Sequence, residues 1–166
     1  MSTEKDTKSL FLIFVLVFMI LCATVMVGIY MNNRWKRMRD IRRRGDLQQI
    51  IKVIDMYALE NNGNLPENET NYEWDSSFDP KSSNQILFKT LKEKKLLSTV
   101  FDPVNNKDYQ YRYHKFQKGE YGCDRSFAIF QVTSFEDSSE NIGSGSCPER
   151  DFTKEAPNGF TIQWFE

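Results

Sequence analysis

Asp46-Leu47-Gln48-Gln49-Ile50-Ile51-Lys52-Val53-Ile54-Asp55-Met56-Tyr57-Ala58 is the stretch that decides what fold this chain can adopt. Leu47, Ile50, Ile51, Ile54 and Ala58 recur at steps of three and four, with Tyr57 beside them, while Asp46, Gln48, Gln49, Lys52 and Asp55 take the other faces. That spacing belongs to an amphipathic helix, whose apolar stripe must be covered by another element. Asn61-Asn62-Gly63 then supplies residues that tolerate left-handed backbone, and Pro66 follows, so the helix stops there.

Upstream, residues 10–31 carry no charged side chain, in a chain that is 27% charged with a mean hydropathy of −0.56. As a helix this segment spans about 33 Å, enough for a hydrocarbon core of ~30 Å. A cleaved secretory signal has an apolar region of only ~7–15 residues. Tyr30-Met31-Asn32-Asn33 offers no small-residue cleavage site either. The segment therefore reads as a retained membrane helix, with Tyr30 and Trp35 at the interface that amphipathic rings favour. Gly28 and Gly45 each cost about 1 kcal/mol relative to Ala but do not force a break. The economical expectation is one helix through residues 10–61, about 78 Å long.

Between the two halves lies a basic collar of Arg34, Lys36, Arg37, Arg39, Arg42, Arg43 and Arg44, offset by Asp40 to a net charge of +6. Residues 46–166 hold 13 basic and 20 acidic side chains, so the formal net charge of −1 conceals a strong division. The expected organisation is a leader-like segment (1–9), a membrane helix (10–31), a basic juxtamembrane helix (32–45) and a globular head (46–166). Seven basic residues after the span against two before it favour a cytoplasmic head. The cysteines point the other way. Cys22 falls in the apolar segment, which leaves Cys123 and Cys147 flanking a Ser/Gly/Asn-rich loop. They read either as a loop staple, which persists only in an oxidising compartment, or as two unrelated thiols. On these two signals the orientation stays open.

Past the helix, residues 67–83 form a polar, acidic loop with scattered aromatics. Ser82 or Ser83 can cap a short helix over 84–96, with Ile86, Leu87, Thr90, Leu91 and Lys94 at helical spacing. Asp102-Pro103-Val104-Asn105-Asn106 is turn chemistry. Tyr109, Tyr111 and Tyr113 alternate with Gln110, Arg112 and His114 as a half-buried strand; residues 127–132 are apolar on both faces, as in a central strand; Phe160, Ile162 and Trp164 mark a closing strand. The expected fold class is α+β, a long N-terminal helix on a small antiparallel sheet, with the stripe of Leu47, Ile50, Ile51, Ile54 and Ala58 as the sheet's cover.

Several local sequences, in this order, resemble the type IV pilin and pseudopilin family. Arg39-Asp40-Ile41-Arg42-Arg43-Arg44-Gly45-Asp46-Leu47-Gln48-Gln49-Ile50 is similar to the Arg-Asp-x-x-Arg-x-x-Asp-Leu-x-x-Ile stretch of that family's long helix. Tyr57-Ala58-Leu59-Glu60-Asn61-Asn62-Gly63-Asn64-Leu65-Pro66 resembles its helix exit. Asp102-Pro103-Val104-Asn105 before Tyr109-Gln110-Tyr111 looks like its turn into the first strand, and Phe127-Ala128-Ile129 with Phe135-Glu136 like its second strand. The chain departs from the family at its N-terminal end. Lys8-Ser9-Leu10-Phe11 stands where family precursors end a leader in Gly before Phe or Met, and cleavage after Ser9 would put Phe14 where the family has a glutamate. The resemblance with this departure implies a minor, tip or accessory subunit rather than a major one, with the head outside the bacterial inner (cytoplasmic) membrane.

Catalytic chemistry has little to start from. His114 is the only histidine and reads as an exposed strand residue, and no glycine-rich phosphate loop, Cys-x-x-Cys or nucleophile elbow is present. Asp137, Ser138, Glu140 and Asn141 make an oxygen-rich loop that reads as a solvated turn, so no cofactor is expected; calcium is the alternative that the resemblance offers for such a loop. The collar beside a membrane suits anionic lipid headgroups or neighbouring subunits better than nucleic acid. Asn68-Glu69-Thr70 matches a glycosylation triplet. The expected function is a non-catalytic, single-pass pilin-like subunit or accessory of a type II secretion or type IV pilus-like assembly. Its partners would be the bilayer and other pilin-like subunits or the assembly machinery, with no small-molecule substrate. The alternative is a membrane protein with a cytoplasmic interaction domain unrelated to pilins.

Overall fold

Helix α1 covers Thr3–Glu60 and runs through both Gly28 and Gly45. The computed structural model describes residues 3–70, 74–78, 89–93, 96, 100–137 and 141–166. The chain divides into two compact units, Met1–Met38 and Arg39–Glu166. In the first, α1 is the whole described structure, and its large apolar side chains from Leu12 to Met31 are exposed.

In the second unit the rest of α1 lies on a sheet. Asp40, Arg43, Leu47, Ile50 and Ile54 are buried and Tyr57 half-buried, one side chain every three or four residues along a single face. The helix ends as its sequence dictates. Asn62 and Gly63 take φ of 59° and 89°, and Gly63 N–H donates to Ala58 O at 2.8 Å, satisfying a carbonyl of the last turn.

The main sheet has the order β1-β2-β3-β6, with β1 at Asp75–Ser76, β2 at Tyr111–Phe116, β3 at Phe127–Val132 and β6 at Phe160–Phe165, all antiparallel. The register aligns Tyr113, Phe130 and Ile162 in one row and Tyr111, Val132 and Phe160 in the next. These rows face α1 and close the main core with Leu47, Ile50, Val53 and Ile54. Both tyrosines reach polar partners beyond it: Tyr111 Oη donates to Asp46 at 2.9 Å and Tyr113 Oη to Pro66 O at 2.7 Å. Of the helix expected over 84–96, α2 is described at Lys89–Glu93, with Leu91 buried in this core; Leu96 lies in a bend packed against the same core, and the cap and residues 84–88 and 94–95 lie outside the described residues.

The opposite face of the sheet is covered too, in line with the run 127–132 being apolar on both faces, although the sequence did not indicate what covers it. Phe116, Phe127 and Ile129 meet Phe152, Cys123 and Cys147 in a second core. Its lid is the short hairpin of β4 (Ser146–Cys147) and β5 (Arg150–Asp151), followed by a 3₁₀ turn at Phe152–Glu155. Gly143 and Gly145 let this lid lie against β6: a Cβ on Gly143 would fall 1.8 Å from Thr161 O. The architecture is α+β, a long N-terminal helix packed on a small antiparallel sheet.

Candidate functional site

Three places carry unusual chemistry: the apolar segment, the basic collar and a cleft on the outer face of the sheet. The apolar segment is long and apolar enough to cross a membrane, and none of it is buried in the chain. Tyr30 and Trp35 are exposed, and Met31, Arg34, Trp35 and Met38 surround a hollow of about 270 Å³ along one side of α1. Cys22 is a free, exposed thiol in the same segment.

The collar does not act as one patch. Arg34 and Arg37 are exposed and Lys36 is half-exposed in the unit Met1–Met38. Arg43, expected to meet lipid or a neighbouring subunit, is instead 0% exposed inside its own head. The helical phase forces this, because Arg43 sits one turn before Leu47 on the buried stripe. Its guanidinium forks onto Asp102 (Nε–Oδ2 2.6 Å, Nη2–Oδ1 2.9 Å), while Nη1 donates to Asp40 at 2.6 Å and Glu136 at 3.0 Å. Its guanidinium carbon lies 4.8 Å from the centre of the Tyr109 ring. Arg39 clasps Glu136 with two bonds of 2.6 Å. Arg42 lies over Phe101 and 3.8 Å from Asp46, and Arg44 lies over Phe135.

The carboxylates in turn hold the loops. Asp40 accepts from the N–H groups of Glu136 and Asp137, and Asp102 caps its own turn through Val104 N and Asn105 N. Burial works against the Arg43 charge, but hydrogen bonds and attraction from Asp102, Asp40 and Glu136 raise its pKa further above the ordinary arginine value. The hydrogen bond from Arg39, with Arg43 adding to it, holds the Glu136 pKa below its usual value. Burial pushes Asp46 up. The cluster locks α1 to the turn at Asp102 and to the loop that follows β3. Arg39, Asp40, Arg43 and Asp46 are legible as a motif, whereas Asp102 and Glu136 read only as a turn residue and the end of a strand.

Cys123 and Cys147 form a disulfide with a Cα–Cα distance of 5.3 Å. Of the helix face singled out in the sequence, Leu47, Ile50 and Ile54 are buried and Ile51 and Ala58 partly so; Val53 joins them unforeseen. In the oxygen-rich loop, Asn141 spends its amide on Ala156 O at 2.7 Å and Thr161 Oγ1 at 3.0 Å, while Ser138 and Glu140 lie outside the described residues. Among the described residues no group of three or more His, Cys, Asp or Glu is arranged to hold a metal ion. Asn68 is committed as well, pairing like a strand residue with both Lys115 N and Lys115 O, so the glycosylation triplet has its acceptor amide engaged.

His114 is half-buried rather than exposed, in a ring cluster with Phe116 at 4.5 Å and Trp74 at 5.8 Å. These three side chains line a cleft of about 480 Å³ together with Gln117, Glu120, Tyr121 and Arg150. Arg150 stacks 4.4 Å over Tyr121 and bonds Glu155 at 2.6 Å; Arg112 stacks 4.4 Å over Trp74 and meets Glu155 at 3.2 Å.

Compared with known protein families, curated proteins and solved structures, the chain matches none at a significant level.

Proposed function

We propose that the chain is a single-pass, membrane-anchored pilin-like or pseudopilin subunit, structural or accessory, in a type II secretion or type IV pilus-like assembly, and that it is non-catalytic. The observation that carries this reading is the double use of α1. One helix presents unpartnered apolar side chains at 12–31 and, from Asp40 to Ala58, a stripe buried on an antiparallel sheet. The residues that carry the family resemblance, Arg39, Asp40, Arg43 and Asp46, are the ones that grip the head. In this role the apolar half anchors the chain and packs against other subunits' helices, while the head presents its loops to partners.

The head lies outside the cytoplasm of a bacterial inner membrane in this reading, because the Cys123–Cys147 bridge persists in oxidising compartments. The count of basic residues after the span favours the opposite orientation and a cytoplasmic interaction domain. C-terminal fusions separate the two. Active alkaline phosphatase, with a dark cytoplasmic fluorescent reporter, is the expected result; inactive phosphatase with a bright reporter removes the pilin-like topology. Photocrosslinkers in the apolar segment should then capture other apolar-helix subunits.

A further inference from the structure

We infer that the cleft between Trp74 and Tyr121 is a binding site for a neutral saccharide. The inference is independent of the orientation of the head and of any assembly, and it begins from what the fold spends to build the cleft. Tyr121 adopts φ 50° and ψ 27°, left-handed backbone that a bulky aromatic residue seldom takes, between Gly119 at φ 93° and Gly122 at φ 76°. Such conformations persist where the surroundings over-determine them and concentrate at ligand clamps. Here the surroundings are specific. Cys123, two residues on, is bridged to Cys147, three residues before Arg150; Glu149 N–H donates to Tyr121 O at 3.1 Å, and Gly119 N–H to Cys123 O at 2.9 Å. The disulfide thus ties together the two segments that bring Tyr121 and Arg150 to the cleft.

The lining then selects the ligand's chemistry. A volume of about 480 Å³ is in the range of small-molecule sites. Trp74, His114 and Tyr121 are all half-buried and line the cleft. The cations nearby are matched by carboxylates: Arg150 and Arg112 share Glu155, with Glu120 on the same lining, and Lys115 meets Glu67 at 2.7 Å and Glu166 at 2.6 Å. An anion would find no net positive charge, and guanidinium groups already supply the cation–π contacts on Trp74 and Tyr121. What remains is aromatic surface edged by planar hydrogen-bonding groups on Gln117, Glu120 and Arg150. A pyranose ring matches that pattern, with C–H faces for the rings and hydroxyls for the amide, carboxylate and guanidinium.

The test uses the full chain in lipid nanodiscs, free of glycosidic detergents. It is probed on arrays of β-1,4-linked glucose and N-acetylglucosamine oligomers, acidic oligosaccharides and proline-rich peptides. Retention on neutral oligosaccharides is expected, with Trp74→Ala and Tyr121→Ala each weakening it by about tenfold, the equivalent of one stacked ring. Arg34→Ala, in the other unit, should bind as the parent does. Circular dichroism and a non-reducing gel report folding. If an aromatic variant fails them, the exposed-margin variants Gln117→Ala and Glu120→Gln carry the test, with an expected loss of about threefold each for one hydrogen bond. A blank neutral set, retention only on acidic sugars or proline-rich peptides, or unchanged binding in the folded variants overturns the assignment.

Discussion

Arg43 is fully buried, and its charge is met by three carboxylates and the Tyr109 ring. Removing one member of a buried ionic cluster costs about 3–5 kcal/mol because the others are left uncompensated. Arg43→Met should lower stability by that amount in urea unfolding of the nanodisc-embedded chain, read by circular dichroism. Exposed Arg34→Met should change it by less than about 0.5 kcal/mol. The same cluster sets an acid limb. The Glu136 pKa is lower folded than unfolded, so its contribution is complete above the ordinary carboxylate range and is lost as pH falls through the lower folded value. Asp46 and Asp75 act in the opposite sense. Burial raises both, so their protonation favours the folded state as pH falls. Glu136→Gln should therefore flatten the loss of stability between about pH 5 and pH 3, and Asp46→Asn should steepen it, in the same unfolding measurement repeated across pH.

At the scale of elements, α1 shows how one face is chosen. Ile54 is fully buried against the sheet, whereas Leu59, five residues on, is 84% exposed. Ile54→Ala should cost about 2–5 kcal/mol and Leu59→Ala almost nothing, although both remove a large aliphatic group. The hairpin lid depends on a covalent tie instead. The loop closed between Cys123 and Cys147 has a sequence separation of 24, for which the chain-entropy account gives roughly 3 kcal/mol. The double variant Cys123→Ser/Cys147→Ser should lose about that much, and reductant should bring the parent chain down to meet it. If the parent is indifferent to reductant, the lid is held by Phe152 and its neighbours alone.

On the scale of the whole molecule, the two units of the chain have opposite needs. The head buries its apolar groups in two cores, one on each side of the sheet. The segment 12–31 buries none of its own. Charges placed there should leave the head intact and change where the chain resides. Val17→Arg with Ile20→Arg adds about 2.5–3.5 kcal/mol per charge at a bilayer centre. The double variant should move from the carbonate-resistant membrane fraction to the soluble one, while its disulfide still forms whenever the head folds in an oxidising medium. A variant that stays in the membrane fraction would show that the anchor lies elsewhere.

By itself the sequence determined the apolar span, the amphipathic half of α1 with its Asn-Gly stop, the three long strands and the α+β class. These rest on periodicity and turn chemistry, which are properties of residues close together in the chain. Only the tertiary structure decided which charges leave the solvent. The helical phase of Arg43 puts it on the buried stripe, but its partners Asp102, 59 positions away, and Glu136, 93 positions away, are brought to it only by the fold. The second core and the cleft were hidden for the same reason. A hairpin of two-residue strands has no periodicity to detect, and Trp74, His114, Tyr121 and Arg150 meet only once the sheet and the disulfide bring them together. Local patterns specify which elements form, and burial of charge and of a second sheet face depends on what distant segments supply.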